Sequence, residues 1–485
     1  MSNRSYITYY IGTIVFFAII IWAILDSGVF LEGHKQLAEP AGLLDYFTHF
    51  KQTVKENATA PLSKFLIQLV IIVGATKIFS YLFKKIGQPG VIGEILAGIV
   101  LGPSLIGMWF PGYLNFVFPS TSMEDLHLIS RLGLILFMFV VGMELNMDQV
   151  KTQARQALLI SHAGILFPFT LGVGLAYFIY VDFAPDNVYF LPFALFMGIA
   201  MGITAFPVLA SILRERGLMN TPIGSLAITS AAIDDITAWC VFAAVIAIAK
   251  AGTFVGSLFT IGLSAVYIIG MFKVVRPLLK KLFARLNPDG GYAINTLVVS
   301  FAVLLLSAFT TRIIGIHSLF GAFMAGVVMP GSPQFRKFVT ERTEYVSVIL
   351  LLPLFFAYNG LRTQIGLLNS PYLWLMFGAV LLVAVLGKLG GTAITARYLG
   401  QSTPNSLRLG VLMNTRGLME LIVLNIGYDL GILSAEIFTM MVLMAIATTF
   451  MTGPLLNLID RIWKKDETPY PKEETKAEAA EPATT

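Results

Sequence analysis

An all-α membrane protein with about fourteen transmembrane helices is the fold class this chain predicts, on three observations. Of its 485 residues, 56% are hydrophobic and 13% charged, and mean hydropathy is +0.78; a soluble domain carries about 25% charged residues. Apolar runs of the roughly 20 residues that span a bilayer begin near residues 6, 62, 91, 127, 157, 190, 222, 254, 293, 315, 343, 371, 404 and 434. Lys and Arg gather between those runs: Lys84 and Lys85, Lys151 and Arg155, Arg214 and Arg216, Lys273 to Arg285, Arg336 to Arg342, Arg397 and Arg408, and Arg461 to Lys465. All of these fall on one side if both termini are cytoplasmic, which satisfies the positive-inside rule. The net charge of +5 is therefore spent on loops facing the lipid headgroups, with no continuous basic face for nucleic acid. Localisation in a bacterial inner (plasma) membrane is expected.

The first run, Tyr6 to Ala23, has a weakly basic start and no clear small-residue cleavage site, so a retained helix is expected in preference to a signal peptide. Residues 1–60 then supply an extra transmembrane helix and an extracytoplasmic loop from Gly28 to Pro61 that includes an interfacial helix. Residues 61–462 form the membrane domain, and 463–485, rich in Pro, Glu, Lys, Ala and Thr, form a disordered cytoplasmic tail. The single cysteine, Cys240, is expected to pack as a small hydrophobe beside Trp239, with no redox role. Neither a dinucleotide fingerprint nor a Walker sequence occurs, so no ATP-driven pump or nucleotide-sensing domain is expected and energy must come from a gradient.

Ionisable residues inside membrane spans cost several kcal/mol and face one another or a water-filled path. The inventory is Glu94, Glu144, Asp234, Asp235, Lys388, Arg416 and Glu420. Asp234 lies about 18 Å along the helix that begins at Pro222, at 1.5 Å per residue, which is near mid-membrane. Lys388 lies a little past the middle of the run from Pro371. Two carboxylates and one lysine at similar depth can compete for one proton or one cation, while a static buried ion pair that only fixes packing is the plain alternative. Adjacent residues on a helix point about 100° apart. One aspartate therefore binds the ion and the other pairs with the lysine; Asp235 is assigned the first role and Asp234 the second.

Two runs are interrupted. Pro207, in Gly202-Ile-Thr-Ala-Phe-Pro-Val-Leu-Ala210, deprives carbonyls near Ile203 and Thr204 of their donors. In lipid such a break survives only against a cavity or under protein. In the run from Ser406, Asn414-Thr-Arg-Gly-Leu-Met-Glu420 puts polar residues and a glycine at the centre, with Arg416 and Glu420 four apart on one face. Corresponding breaks in two halves point to inverted repeats around a mid-membrane ion site. The segments beginning at 91 to 222 and at 315 to 434 number five each, and seven crossings separate their equivalents, which gives opposite orientation.

Together these strings resemble the Kef-type and plant-type monovalent cation:proton antiporters, with sodium–proton exchangers as more distant relatives. The matching residues are Gly87-Gln-Pro-Gly-Val-Ile-Gly-Glu-Ile-Leu-Ala-Gly98, Leu101-Gly-Pro-Ser104, Thr204-Ala-Phe-Pro-Val-Leu-Ala210, Ile233-Asp-Asp-Ile-Thr-Ala-Trp239, Gly360-Leu-Arg-Thr-Gln364 and Asn414-Thr-Arg-Gly-Leu-Met-Glu-Leu-Ile-Val-Leu-Asn425. The resemblance implies the sodium–proton antiporter fold, in which two interrupted helices cross at mid-membrane. It implies a homodimer whose core (about 155–250 and 371–460) moves as an elevator against a scaffold (about 61–150 and 290–365). It implies Asp235 as the residue that binds cation (the metal-ion site) or proton, with Asp234 and Thr204 beside it, Lys388 as charge partner, and Pro207, Asn414, Thr415, Arg416 and Glu420 at the crossing. Na⁺ or K⁺ and H⁺ would be transported, with no cofactor. The paired aspartates with lysine lean towards electrogenic exchange, whereas the motif wording is closer to the potassium-linked branch, so Na⁺ and K⁺ both stay open.

A cation channel or a Kef-like gated potassium efflux system is the alternative, but channels repeat few helices about a symmetry axis. An intramembrane aspartyl protease would need a Gly-x-Gly-Asp string on a second helix, which is absent; only Tyr428-Asp429 matches its first half. No enzyme is expected. His162 and His317 are expected to pack, buried or at the interface, in preference to sensing pH, Gly98 and Gly102 to permit close helix contact, and Arg362 to snorkel to the headgroups.

Overall fold

The computed structural model describes residues 3–32, 43–144, 154–219, 221–251, 254–286, 294–330 and 332–463. The regular elements among them are helices. The chain divides into two units, Met1–Lys64 and Phe65–Thr485. The first holds α1 (Asn3–Glu32), α2 (Leu43–Thr59) and the start of α3 (Pro61–Lys85). α2, within the segment from Gly28 to Pro61, is amphipathic. The tail expected from residue 464 onward lies outside the described residues.

The second unit continues with α4 (Gly90–Leu101), short α5 (Ile106–Trp109) and α6 (Pro111–Val117), α7 (Ser120–Glu144) and α8 (Ala154–Phe183). Then come α9 (Phe190–Gly202), α10 (Phe206–Glu215), α11 (Pro222–Ala251), α12 (Phe254–Gly270), α13 (Arg276–Leu286) and α14 (Ile294–Ile314). The last part is α15 (Ser318–Val328), α16 (Pro333–Val346), α17 (Leu352–Arg362), α18 (Pro371–Val385), α19 (Gly391–Tyr398), α20 (Thr403–Met413), α21 (Leu418–Asp429) and α22 (Ala435–Ile462). Turns of π-helix join α12 to α13, α16 to α17 and α18 to α19.

Among the described residues, 11 helices are long and apolar enough to cross a bilayer, and the pair α20 and α21, bent by 43°, makes up to 12. Of the fourteen apolar runs, those beginning near 315 and 343 are the two that this measure of length and composition leaves out. α15 has 11 residues, about 16 Å at 1.5 Å per residue, half of a hydrocarbon core. Its apolar run is cut by Pro330, and His317 caps its start by accepting a hydrogen bond from Leu319 N–H at 3.3 Å. In the run near 343 the apolar π-turn Ser347–Leu351 and α17, of 11 residues, continue a helix whose first half carries Arg336, Lys337, Glu341 and Arg342. Cys240 also differs from expectation: it is exposed on α11, while its neighbour Trp239 is fully buried.

The five-helix repeats are recognisable in how they interlock. Each begins with a short buried helix, α4 or α15, and that helix packs against the second helix of the other repeat: α4 against α17, α15 against α7. Small residues make both crossings. A Cβ on Gly98 would collide with the Ala357 carbonyl and one on Gly360 with the Ile95 carbonyl. In the same way Gly142 meets the Phe323 carbonyl and Gly326 the Phe139 carbonyl. Close backbone approach of this kind is how helices associate where lipid supplies no hydrophobic drive. Gly326→Ala is expected to destabilise the fold by about 1–3 kcal/mol, since the obstruction is backbone. Gly378→Ala, which meets nothing within 4 Å, is the control. Thermal unfolding in detergent separates the two.

Candidate cation site

The two interrupted spans break where the sequence places the breaks. Between α9 and α10, Ile203 and Ala205 are extended and Thr204 is non-helical, and Pro207 takes the first turn of α10, where its missing donor is harmless. Between α20 and α21, Asn414 to Gly417 are non-helical. The two breaks are bound to each other: Ala205 N–H donates to Thr415 O at 3.0 Å, and the Thr204 hydroxyl donates to Met413 O at 2.9 Å. Thr415 turns its hydroxyl back to Leu412 O at 2.8 Å. The α22 residue Thr449 clamps the second break, accepting from Arg416 N–H at 2.9 Å and donating to Arg416 O at 2.7 Å.

Breaking a helix exposes its dipole ends, and charged side chains meet them here. The carboxyl end of α9 receives both basic groups: Arg416 donates to Ala200 O at 2.9 Å and Met201 O at 2.7 Å, and Lys388 Nζ donates to Gly202 O at 2.5 Å. At the start of α10, Asp234 Oδ2 accepts from Thr204 N–H at 2.9 Å, and Glu420 occupies the first turn of α21. Lys388 Nζ also lies 3.2 and 3.4 Å from the Asp234 oxygens. Arg416 lies 3.5 Å from Glu420. Asp234, Asp235, Lys388, Arg416 and Glu420 are all at most 1% exposed.

Asp235 is the exception in this set. It makes no ion pair or hydrogen bond among the described residues, and its Oδ1 is buried and unpartnered. So is Oδ1 of Asn414 on the second break. Three buried carboxylates against two basic groups leave one negative charge, and Asp235 is the carboxylate without an answer. The structure thus brings together Asp234, Thr204, Lys388, Thr415 and Arg416 by hydrogen bonds and Glu420 by its ion pair with Arg416 alone, its two oxygens accepting no hydrogen bond among the described residues, with Pro207 and Asn414 on the breaks and Asp235 next in chain to Asp234.

Two features escaped the sequence. Lys388 sits in a π-turn, Leu386–Gly390, whose extra residue shifts the register of side chains along the span. Gly387 and Gly391 flank it, and a Cβ on either would strike Pro168 or Phe167 of α8 at 2.7 and 2.6 Å. The second is a network at the face opposite Lys84 and Arg216. There Asp429 of α21 pairs with Arg131 and Arg362 at 2.8 Å each and with His127 at 3.3 Å. Arg362 also donates to Asn425 at 2.9 Å and lies over the Tyr428 ring at 4.5 Å, and Asn425 bonds Asn359. Arg362 is therefore an ion-pair member and does not snorkel. The Glu144 side chain lies outside the described residues.

The description of the family whose model matches residues 69–459 is sodium/hydrogen exchanger, transmembrane. The chain is 42% identical over 392 residues to the Na(+)/H(+) antiporter NhaS4 of Synechocystis sp., covering 81% of this chain and 96% of that one. It is 41% identical over 394 residues to Cation/H(+) antiporter 17 of Arabidopsis thaliana, covering 81% of this chain but 48% of the plant protein. In fold it is similar to the sodium proton antiporter MjNhaP1 from Methanocaldococcus jannaschii, with TM-score 0.61 at 15% identity over 84% of this chain and 98% of that one. By the family model and the cyanobacterial relative, the chain belongs to the transmembrane sodium/hydrogen exchanger family.

Proposed function

We propose that the protein exchanges a monovalent cation, Na⁺ or K⁺, for protons, and that Asp235 is where the two compete. The single observation that carries this is the Asp235 carboxylate: buried, next to the crossing, and unpaired while every neighbouring charge has a partner. A carboxylate so placed is stable only when a proton or a cation neutralises it. Each ion must leave before the other is carried, so exchange follows without contact between them.

Asp234 and Lys388 supply the second half of the reading. A cation arriving between the aspartates competes with the ammonium for Asp234, and the lysine then gives up its proton. Two protons move for one cation, and exchange is electrogenic. Thr204 and Asn414 offer neutral oxygens to the cation, Thr415 braces the crossing, and Arg416 with Glu420 balances the exposed helix ends. The core, about 155–250 and 371–460, carries this site as an elevator against the scaffold, about 61–150 and 290–365, in a homodimer. No cofactor takes part.

Purified protein in proteoliposomes tests the reading. Proton flux is expected against at least one of Na⁺, K⁺ and Li⁺, stimulated by a clamped membrane potential of the favourable sign. Absence of cation-dependent proton flux rejects antiport, and flux indifferent to potential rejects the two-proton step.

A further inference from the structure

At the face opposite Lys84 and Arg216, the Asp429 network ties α7 and α17 to α21. On the side that carries Lys84, a cleft of about 170 Å³ runs between α3, α4, α7 and α17 on one wall and α10 and α21 on the other. Its lining includes Pro207 and Leu418, in the first turns of the second halves of the two broken spans, so it reaches the level of the crossing. Among the described residues, the charged ones that line it are Glu94 and Lys84.

The geometry around Glu94 is built by two glycines. Gly93 lets α4 lie against α3, where a Cβ would come within 2.5 Å of Phe79 O. Gly90 makes room for the Ser80 hydroxyl and for the Lys84 stem, whose Cε would be 2.8 Å from a Cβ there. Ser80 and Lys84 line the cleft together with Glu94, and no ion pair forms between Glu94 and Lys77 or Lys84 among the described residues. The facing elements α7, α10, α17 and α21 contribute Phe137, Pro207, Val208, Ser211, Leu352, Phe356 and Leu418, none of them charged. A carboxylate at this depth is either functional or an unrewarded cost.

We propose that Glu94 is a second, transient cation site, the first carboxylate that a monovalent cation meets on entering from the Lys84 face. Ser80 and Ser211 provide hydroxyl oxygens on the same cleft. Glu94 raises the local cation concentration before delivery to Asp235, and Lys84 at the mouth tempers that attraction. The proposal rests on the reading of Asp235 as the transported-ion site.

Exchange by the full-length protein, measured with Na⁺ or K⁺ supplied from each face in right-side-out and inside-out vesicles, tests it. Glu94→Gln is expected to raise KM from the Lys84 face about tenfold, with the maximal rate and the KM from the other face retained, and Glu94→Asp to restore most of the loss. Lys84→Gln is expected to shift KM the opposite way, falling about twofold at low ionic strength and less at high salt. An unchanged KM in Glu94→Gln, an equal rise from both faces, or no fall in Lys84→Gln overturns the proposal. Failure of the Asp235 reading looks different, because there substitution at Asp235 leaves exchange running from both faces.

Discussion

Asp235→Asn is expected to reduce cation-dependent proton flux in proteoliposomes to that of protein-free vesicles while leaving the protein folded and at least as stable as the parent. The two halves of this expectation come from one fact. Asp235 makes no hydrogen bond or ion pair among the described residues, so an isosteric amide breaks no bond and removes a buried charge that nothing opposes. Removal of an uncompensated charge relieves desolvation, the reverse of what happens when a paired one is broken. Binding supplies a second readout. Saturating Na⁺ or K⁺ at 100 times its Kd stabilises a protein that binds it by about 2.7 kcal/mol, visible as a rise in melting temperature, and this rise is expected to vanish in Asp235→Asn. A variant that keeps both exchange and cation-dependent stabilisation removes Asp235 from the mechanism.

Much of this site was legible in the sequence because membranes make exceptions conspicuous. An Asp pair, a lysine, a proline and an Asn-Thr-Arg-Gly string inside apolar runs have few reasons to exist, and the two breaks fall where Pro207 and Asn414 to Gly417 place them. The pairing of Arg416 with Glu420 followed from their spacing, but its larger task did not: the guanidinium reaches across 215 residues to Met201 O, a contact no local pattern encodes. Arg362 was misread, and Asp429 passed over, for the same reason. Each sits at a helix end, where solvation by headgroups is the ordinary outcome, and only tertiary packing brings α7, α17 and α21 together around them. The difference between fourteen apolar runs and the 11 or 12 helices that pass on length and composition has a different cause: α15 has only 11 residues, and α17 continues a helix whose first half is charged.

Lys388→Met is expected to be the most destabilising single change at the site, by about 3–5 kcal/mol, the range for removing one partner of a buried ion pair. The ammonium lies 3.2 Å from Asp234 and 2.5 Å from Gly202 O, so its loss strands a carboxylate and a helix-end carbonyl at once. The double variant Asp234→Asn/Lys388→Met separates these. It neutralises the charge and keeps an acceptor for Thr204 N–H, which leaves only the Gly202 carbonyl unpaired, at about 1–3 kcal/mol. Thermal unfolding in detergent is therefore expected to rank parent above double variant above Lys388→Met. Transport gives the same pair a different reading. With no lysine to release a proton, the double variant is left with Asp235 alone and is expected to exchange one proton per cation, at a rate indifferent to a clamped potential. If the double variant is no more stable than Lys388→Met, the Asp234–Lys388 pair is not what holds the two spans together; if its exchange still follows the potential, the second proton resides elsewhere.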